Sequence, residues 1–212
     1  LSQDGSDAVE SAIKSAQIAS PGRDGIVAFT GSYHGLSYGA LSATSGKYFR
    51  APFAARLAKQ TLFVDYPYCY RCPLKLKYPD CGIACLDAAK SRIRRAGGRR
   101  KFSAVIVEPI QGRGGEIVPP AGWLSRLAEF CRREHLLLIA DEIYPGFGRT
   151  GRMFACEHEN VVPDLMCLGK GMTGGFPLSA CVGKPGVMNR WGRSTGEAIH
   201  TSTFLGNPLG CA

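Results

Sequence analysis

A single lysine stands in an uncharged, glycine-rich stretch of the chain. Residues 165–180 read LMCLGKGMTGGFPLSA, and Lys170 is the one charged side chain among them. Desolvation disfavours the ammonium form, so a lysine in a water-poor position without a carboxylate neighbour holds a neutral, nucleophilic amine. Most lysines are exposed, however, and an open loop with Lys170 in solvent also fits this stretch. Lys170 is therefore a candidate nucleophile whose role depends on what the rest of the chain places beside it.

Four of the nine cysteines form a second group with possible chemistry. Cys69, Cys72, Cys81 and Cys85 have the spacing C-x2-C-x8-C-x3-C. Zinc binds four thiolates well, and the first pair has the spacing of a zinc knuckle. The second pair lies at the start of a predicted helix, and the segment PYCYRCPLKLKYPDC is rich in proline and tyrosine, as an ordinary packed loop is. A metal-binding module is kept as an alternative, and no residue is assigned as a metal ligand.

Hydrophobic periodicity predicts alternating helices and strands. The helices are expected over residues 7–19, opening at Ser6 or Asp7, and over 85–96 and 122–135. Short apolar runs predict strands over residues 26–30, 61–65, 102–109, 136–142, 163–170 and 178–183. Helices between continuous apolar strands are typical of an α/β fold with a mostly parallel sheet flanked by helices. We expect one domain over residues 1–212.

Polar, aromatic and glycine residues follow four of the predicted strands. The segments are GSYHG, PIQGRGG, DEIYPGFGRTG and GKGMTGG. Ligands bind parallel sheets beyond the carboxyl ends of the strands, where glycines let them approach the backbone. The four loops together predict one composite pocket that contains Lys170.

Composition limits the classes of protein that this chain can be. It has 212 residues, 45% of them hydrophobic, and no apolar run approaches the length of a membrane span. The net charge of +9 favours anionic partners, but no nucleic-acid-binding motif is present and we expect none bound. Nine scattered cysteines indicate a reducing compartment, and we expect a cytoplasmic protein. The chain lacks an initial methionine, so we expect an internal fragment from which any targeting signal is lost.

The motifs resemble those of one enzyme family. They are GSDAVESAIK, GSYHG, VEPIQGRGG, LLIADEIYPGFGRTG, LGKGMTGGFPLSA and TSTFLGNPLGCA. In this order, over essentially the whole chain, they resemble the class III aminotransferases, pyridoxal-phosphate (PLP) enzymes of fold type I. The resemblance implies that residues 1–212 are the large cofactor-binding domain, without the N-terminal segment and the C-terminal small domain of the family.

The resemblance assigns a role to each matching residue. Lys170 would form the Schiff base with the cofactor aldehyde and then carry a proton between the substrate and the cofactor. Asp141 would pair with the pyridine nitrogen. Gly5 and Ser6, at a helix N-terminus, would bind the cofactor phosphate.

Further matches surround this group. Tyr33 would stack on the cofactor ring with His34 beside it, and Glu108 would support the cofactor region. Tyr144 stands where most relatives have a glutamine that contacts the 3′ oxygen of the cofactor. Thr203 matches a threonine that reaches the phosphate of the neighbouring subunit, which implies a homodimer with shared active sites.

Two departures leave the substrate open. Relatives that act on 4-aminobutyrate commonly have an arginine at the position of Leu36, and many have a glutamate at the position of Arg113. Arg113 could hold a substrate carboxylate or lie on the surface. The predicted activity is transfer of an amino group from an amine or ω-amino acid to a 2-oxo acid. A PLP-dependent aminomutase or racemase remains an alternative, and the 212 residues alone are expected to be inactive.

Overall fold

Six β-strands of the computed structural model, which describes residues 1–212, form one sheet. The strands are β1 Gly25–Phe29, β2 Thr61–Val64, β3 Phe102–Val107, β4 Leu137–Asp141, β5 Leu165–Leu168 and β6 Ala180–Gly183. Their order in the sheet is β2-β1-β3-β4-β5-β6. The pairs from β2 to β5 are parallel, and β6 alone runs antiparallel to its neighbour β5.

Helices connect the strands. The α-helices are α1 Gly5–Ile18, α2 Tyr38–Ala43, α3 Lys47–Arg50, α4 Ala84–Arg95, α5 Trp123–Arg133, α6 Pro185–Met188 and α7 Pro208–Cys211. Short 3-10 helices lie at Ala51–Arg56, Cys69–Arg71, Gly98–Arg100, Ala155–Glu159, Lys170–Thr173 and Asn189–Trp191. None of the helices has the length and hydropathy that a membrane-spanning segment would need.

The sheet has a separate hydrophobic core on each face. Alternate residues of a strand point to opposite faces, so Ile26 and Ala28 lie in one core while Val27 and Phe29 lie in the other. The first core packs against α1 and α2, and the second against α4 and α5. Burial on both faces explains why the strands are continuous apolar runs. The predicted α/β fold with a mostly parallel sheet is confirmed.

Two element boundaries differ from the predictions at places that matter for the site. Helix α1 begins at Gly5, before the predicted Ser6 or Asp7, because the Asp4 carboxylate caps it and accepts the N–H of Asp7 at 3.0 Å. Strand β5 ends at Leu168 rather than at Lys170. Lys170 instead has a φ of 44°, a left-handed conformation that non-glycine residues rarely adopt.

The strand order brings the predicted loops together. Strands β1, β3, β4 and β5 are consecutive neighbours and parallel, so their carboxyl ends share one edge of the sheet. The N-terminus of α1 is close to the same edge, since a Cβ on Gly5 would lie 3.1 Å from Ile143, which follows β4. The fold therefore collects chemistry-bearing segments that are far apart in sequence.

Candidate active site

A cavity of about 590 Å³ lies at the carboxyl edge of the sheet. Of the predicted site residues, those that line it are Gly5, Ser6, Tyr33, His34, Glu108, Asp141, Tyr144 and Lys170. Asp4, Gly35, Gly112, Arg113 and Ile143 complete the lining. We call this the strand-end cavity. The composite pocket expected from the four loops is present in the structure.

Asp141 and His34 form a buried, hydrogen-bonded pair in the cavity wall. Asp141 ends β4, and its Oδ2 lies 2.7 Å from Nδ1 of His34 in the loop after β1. Its Oδ1 accepts the N–H of Ile143 at 3.1 Å, so both oxygens of the carboxylate are held. Burial lowers the pKa of His34, but the hydrogen bond and charge of Asp141 outweigh it and the net pKa is raised. His34 thus positions Asp141, a role that the sequence resemblance did not specify.

Glu108 ties two loops of the cavity together. The carboxyl group follows β3, and its oxygens accept the N–H of Tyr33 at 3.0 Å and the N–H of Gly112 at 3.3 Å. Burial raises the pKa of Glu108 to about 7, with the nearby His34 opposing this change and Asp141 adding to it. Glu108 therefore fixes the positions of the loops after β1 and β3.

Lys170 lies at the cavity with an exposed side chain. The sequence left a water-poor position and an open, solvated loop as alternatives. In the structure the cavity is open to solvent and Lys170 is only partly shielded. Desolvation of the amine still lowers the pKa of Lys170, and the positive charges of Arg149 and Arg113 lower it further. The carboxylates of Asp141 and Glu108 oppose this change. The result is an amine that is neutral more often than an ordinary lysine.

The N-terminus of α1 offers free hydrogen-bond donors. The N–H groups of Gly5 and Ser6 donate no hydrogen bond within the chain, as expected in the first turn of a helix. The hydroxyl oxygen of Ser6 accepts the N–H of Leu36 at 3.1 Å, which leaves its proton to donate. A Cβ on Gly35 would lie 2.2 Å from this oxygen, so glycine is required beside it. Backbone and hydroxyl donors at a helix N-terminus fit a phosphate group.

Tyr144 makes a contact that its sequence position did not predict. Its hydroxyl donates to Oε1 of Glu116 at 2.8 Å, and this hydrogen bond raises the pKa of Tyr144. The Tyr144 ring centroid lies 5.7 Å from Nζ of Lys170. In this arrangement the ring, rather than the hydroxyl, borders the lysine.

Two residues near the cavity were missed by the sequence analysis. The ring of Phe49, from α3, packs edge-on against Tyr33 at 5.4 Å between centroids, and Glu116 holds Tyr144. No motif marks these residues, because they act by packing and by a single hydrogen bond. Thr203 lies in an exposed turn outside the strand-end cavity, so the single chain does not bring it to the other predicted residues.

The cysteines Cys69, Cys72, Cys81 and Cys85 line a different, small pocket. Its volume is about 10 Å³, and nine of its eleven lining residues are hydrophobic. We call it the thiol pocket. Burial raises the pKa of the Cys69 and Cys85 thiols, and the neighbouring cysteines add to this. No three His, Cys, Asp or Glu side chains in the chain are arranged to hold a metal ion.

The family of the chain follows from comparison with known proteins. All of residues 1–212 match the family model described as aminotransferase class-III. The chain belongs to the class III aminotransferases. Membership confirms the resemblance drawn from the motifs.

Two curated aminotransferases are similar to this chain along its whole length. It is 39% identical to an adenosylmethionine-8-amino-7-oxononanoate aminotransferase of Geobacter sulfurreducens, covering 100% of this chain and 48% of that protein. It is 40% identical to the protein of the same name from Nitratidesulfovibrio vulgaris, covering 100% of this chain and 41% of that one. The chain thus spans less than half the length of these relatives.

Solved structures of transaminases are similar to this chain in fold. An amine transaminase from an uncultivated Pseudomonas species, in a PLP-bound form, matches with a TM-score of 0.91 at 34% identity, over 99% of this chain and 49% of that one. An (S)-enantioselective omega-transaminase from Thermomicrobium roseum matches with a TM-score of 0.91 at 31% identity, over 99% and 48%. These matches support fold type I and PLP as the cofactor of the family. They give no support to a mutase, a racemase or a metal-binding module.

Proposed function

We propose that the protein containing this chain is a PLP-dependent transaminase that moves an amino group from an amine or ω-amino acid to a 2-oxo acid. The observation that carries the proposal is the convergence of Lys170, Asp141 and the N-terminus of α1 on one cavity, from segments far apart in sequence. The names of the relatives support the reaction class.

The residues of the cavity fit the proposed cofactor. The free N–H groups of Gly5 and Ser6 would hold its phosphate, and Tyr33 offers a flat aromatic face. Asp141, locked by His34, presents a carboxylate at the cavity wall. When bound, pyridoxal phosphate supplies an aldehyde that condenses with amines and a pyridinium ring that withdraws electrons.

Lys170 is the proposed proton carrier. Its Nζ, with a lowered pKa, would take the proton from the carbon that bears the substrate amine and, with pyridoxal phosphate bound, would deliver it to the carbon that came from the cofactor aldehyde. The left-handed backbone at Lys170 places the side chain at the cavity immediately after β5 ends. Glu108 keeps the opposite loops in place, so the cavity is preorganised around this amine.

Three further features belong to the same proposal. Residues 1–212 are proposed to be the cofactor-binding large domain of a longer chain. Thr203, exposed outside the cavity, is proposed to reach the phosphate in a partner subunit of a homodimer. A cytoplasmic location is proposed as well, because nine scattered cysteines are typical of a protein kept in a reducing compartment.

The test is covalent capture of the cofactor on the full-length protein. After incubation with pyridoxal phosphate and reduction with borohydride, mass spectrometry of peptides should find the cofactor on Lys170. A Lys170→Ala variant should lose this label and at least about 1,000-fold in transamination rate, since nucleophile and proton carrier are removed together.

Lys59→Ala is the matched control, because Lys59 is exposed and lies outside the cavity. It should keep both label and rate. A folded full-length protein that takes no label at Lys170 contradicts the proposed function.

A further inference from the structure

Arg113 is a cavity-lining guanidinium without an ion-pair partner. It lies in the loop after β3, and none of the ion pairs of the chain includes it. A guanidinium carries five N–H donors in a planar fork that matches a carboxylate with two parallel hydrogen bonds. An unpaired guanidinium beside a reactive amine is therefore suited to bind an anionic group of a substrate.

The guanidinium of Arg113, an exposed residue at the cavity, packs against two aromatic rings. Its central carbon lies 4.9 Å from the ring centroid of Tyr33 and 5.3 Å from that of Phe49. Contacts of this kind attract the cation to the ring faces and restrict the plane of the guanidinium. Because the rings accept no conventional hydrogen bond from it, the N–H edges stay available for an anion.

The backbone that carries Arg113 is also fixed. Glu108 accepts the N–H of Gly112, the residue before Arg113, and the N–H of Tyr33. A Cβ on Gly112 would lie 2.8 Å from the ring of Tyr144, so only glycine lets this loop approach so closely. The carboxyl group of Glu108 thus fixes the backbone beside Arg113 and the backbone of Tyr33, whose ring contacts the guanidinium.

Arg149, the other arginine that affects Lys170, is placed differently. Its Nε donates to the carbonyl oxygen of Tyr144 at 2.7 Å, and its guanidinium lies 4.9 Å from the centroid of the Tyr144 ring. It does not line the strand-end cavity. Arg113 is therefore the guanidinium that a ligand in the cavity meets.

We propose that Arg113 binds the carboxylate of the substrate and makes the enzyme selective for amino acids over simple amines. This inference rests on the proposed function and narrows its substrate class. The amine of such a substrate reacts at the Lys170 side of the cavity while its carboxylate is held by Arg113. The 2-oxo acid acceptor carries a carboxylate too, so Arg113 acts in both halves of the reaction.

The experiment compares donors that differ only by a carboxylate in place of a methyl group. On the full-length, PLP-loaded protein, kcat/KM is measured for β-alanine against propylamine and for 4-aminobutyrate against butylamine. In Arg113→Gln the ratio of carboxylate donor to amine donor should fall about 10- to 100-fold, the value of a charge-assisted hydrogen-bond pair. Arg113→Lys, which keeps the charge but not the fork, should fall between wild type and Arg113→Gln.

A binding measurement and a control complete the design. Calorimetric titration with butyrate, which has no amine, reports the carboxylate contact without turnover, and the affinity should drop in Arg113→Gln. Arg132→Gln removes the same charge from an exposed residue of α5 that lies outside the cavity, and it should change neither readout.

The outcomes separate this inference from the proposed function. An unchanged donor ratio and unchanged butyrate affinity in Arg113→Gln overturn the inference. Weakened PLP binding with an unchanged donor ratio also overturns it, because the anion bound by Arg113 is then the cofactor phosphate. If wild-type protein transaminates no donor but binds butyrate through Arg113, the carboxylate site stands and the proposed function fails.

Discussion

The strand-end cavity and the thiol pocket both contain clusters of residues that could do chemistry, yet they differ in how they are built. The cavity draws its lining from the loops after β1, β3, β4 and β5 and from the start of α1. The thiol pocket takes ten of its eleven lining residues from one stretch, residues 68–85. The first has room for a ligand at about 590 Å³, and the second, at about 10 Å³, does not.

The side chains of the two pockets also differ in charge, burial and hydrogen bonding. In the cavity, Asp141 and Glu108 are buried and hydrogen-bonded, while Arg113 and Lys170 have no ion-pair partner. In the thiol pocket, partial desolvation raises the pKa of Cys69 and Cys85, which favours the protonated thiol. The cavity is therefore assembled by several strands, whereas the thiol pocket is a packed cluster formed mostly by one loop.

Among the variants that compare the two regions, the largest expected loss of transamination rate is that of Asp141→Asn. Asp141→Asn keeps the shape of the side chain but removes the buried negative charge that His34 faces, so the transamination rate should fall about 100- to 1,000-fold. Single-turnover kinetics at saturating cofactor measure the chemical step directly.

Asp65→Asn is the matched control for this change. Asp65 also follows directly after a parallel strand, β2, but it is exposed and does not line the cavity. An equal loss of rate in both variants would break the distinction between a strand end inside the cavity and one outside it.

The next largest effect is a change of the free energy of unfolding with pH, caused by the titration of Glu108. The pKa of Glu108 is raised to about 7 in the folded protein, so the folded state binds this proton more tightly than the unfolded state. The resulting stabilisation is complete below pH 4.5, is lost as the pH rises towards 7, and amounts to about 3 kcal/mol. Urea unfolding at pH 5 and pH 8 measures it.

Glu108→Gln should make this pH dependence flatter, because the titrating carboxyl group is removed. Glu157→Gln removes an exposed carboxylate and should leave the wild-type profile. Parallel profiles for wild type and Glu108→Gln would show that Glu108 is not a buried titrating group, and that the cavity wall is more open than its hydrogen bonds indicate.

The smallest effect belongs to the thiol pocket. A double variant, Cys69→Ser with Cys72→Ser, should change the free energy of unfolding by less than about 1 kcal/mol, because Cys69 is exposed and Cys72 is partly exposed. The transamination rate should stay within about twofold of wild type by the same argument. The contrary result is stoichiometric zinc in purified wild-type protein that is absent from the double variant. The thiol pocket would then be a metal site rather than a packed cluster.

Much of the site was readable from the sequence because its residues lie in short motifs at strand ends. The acid that ends β4 and the lysine in a glycine loop could be located without coordinates, as could the glycine and serine at the start of α1. Hydrophobic runs gave the strands, since strands buried on both faces must be apolar throughout. Helix and strand ends shifted by one or two residues, because capping by Asp4 and the left-handed turn at Lys170 are local conformations that periodicity does not encode.

By itself, the sequence determined the fold class and the family and nominated most of the residues that line the strand-end cavity, because these depend on residue type and local spacing. Only the tertiary structure decided what those residues do to one another. In the folded chain, His34 is hydrogen-bonded to Asp141, and Glu108 binds the backbone of two loops. The Tyr144 hydroxyl donates to Glu116, and the Arg113 guanidinium packs against two aromatic rings. Apart from the bond between Glu108 and Gly112, these contacts join residues at least 28 positions apart, and only the folding of the chain brings such residues together.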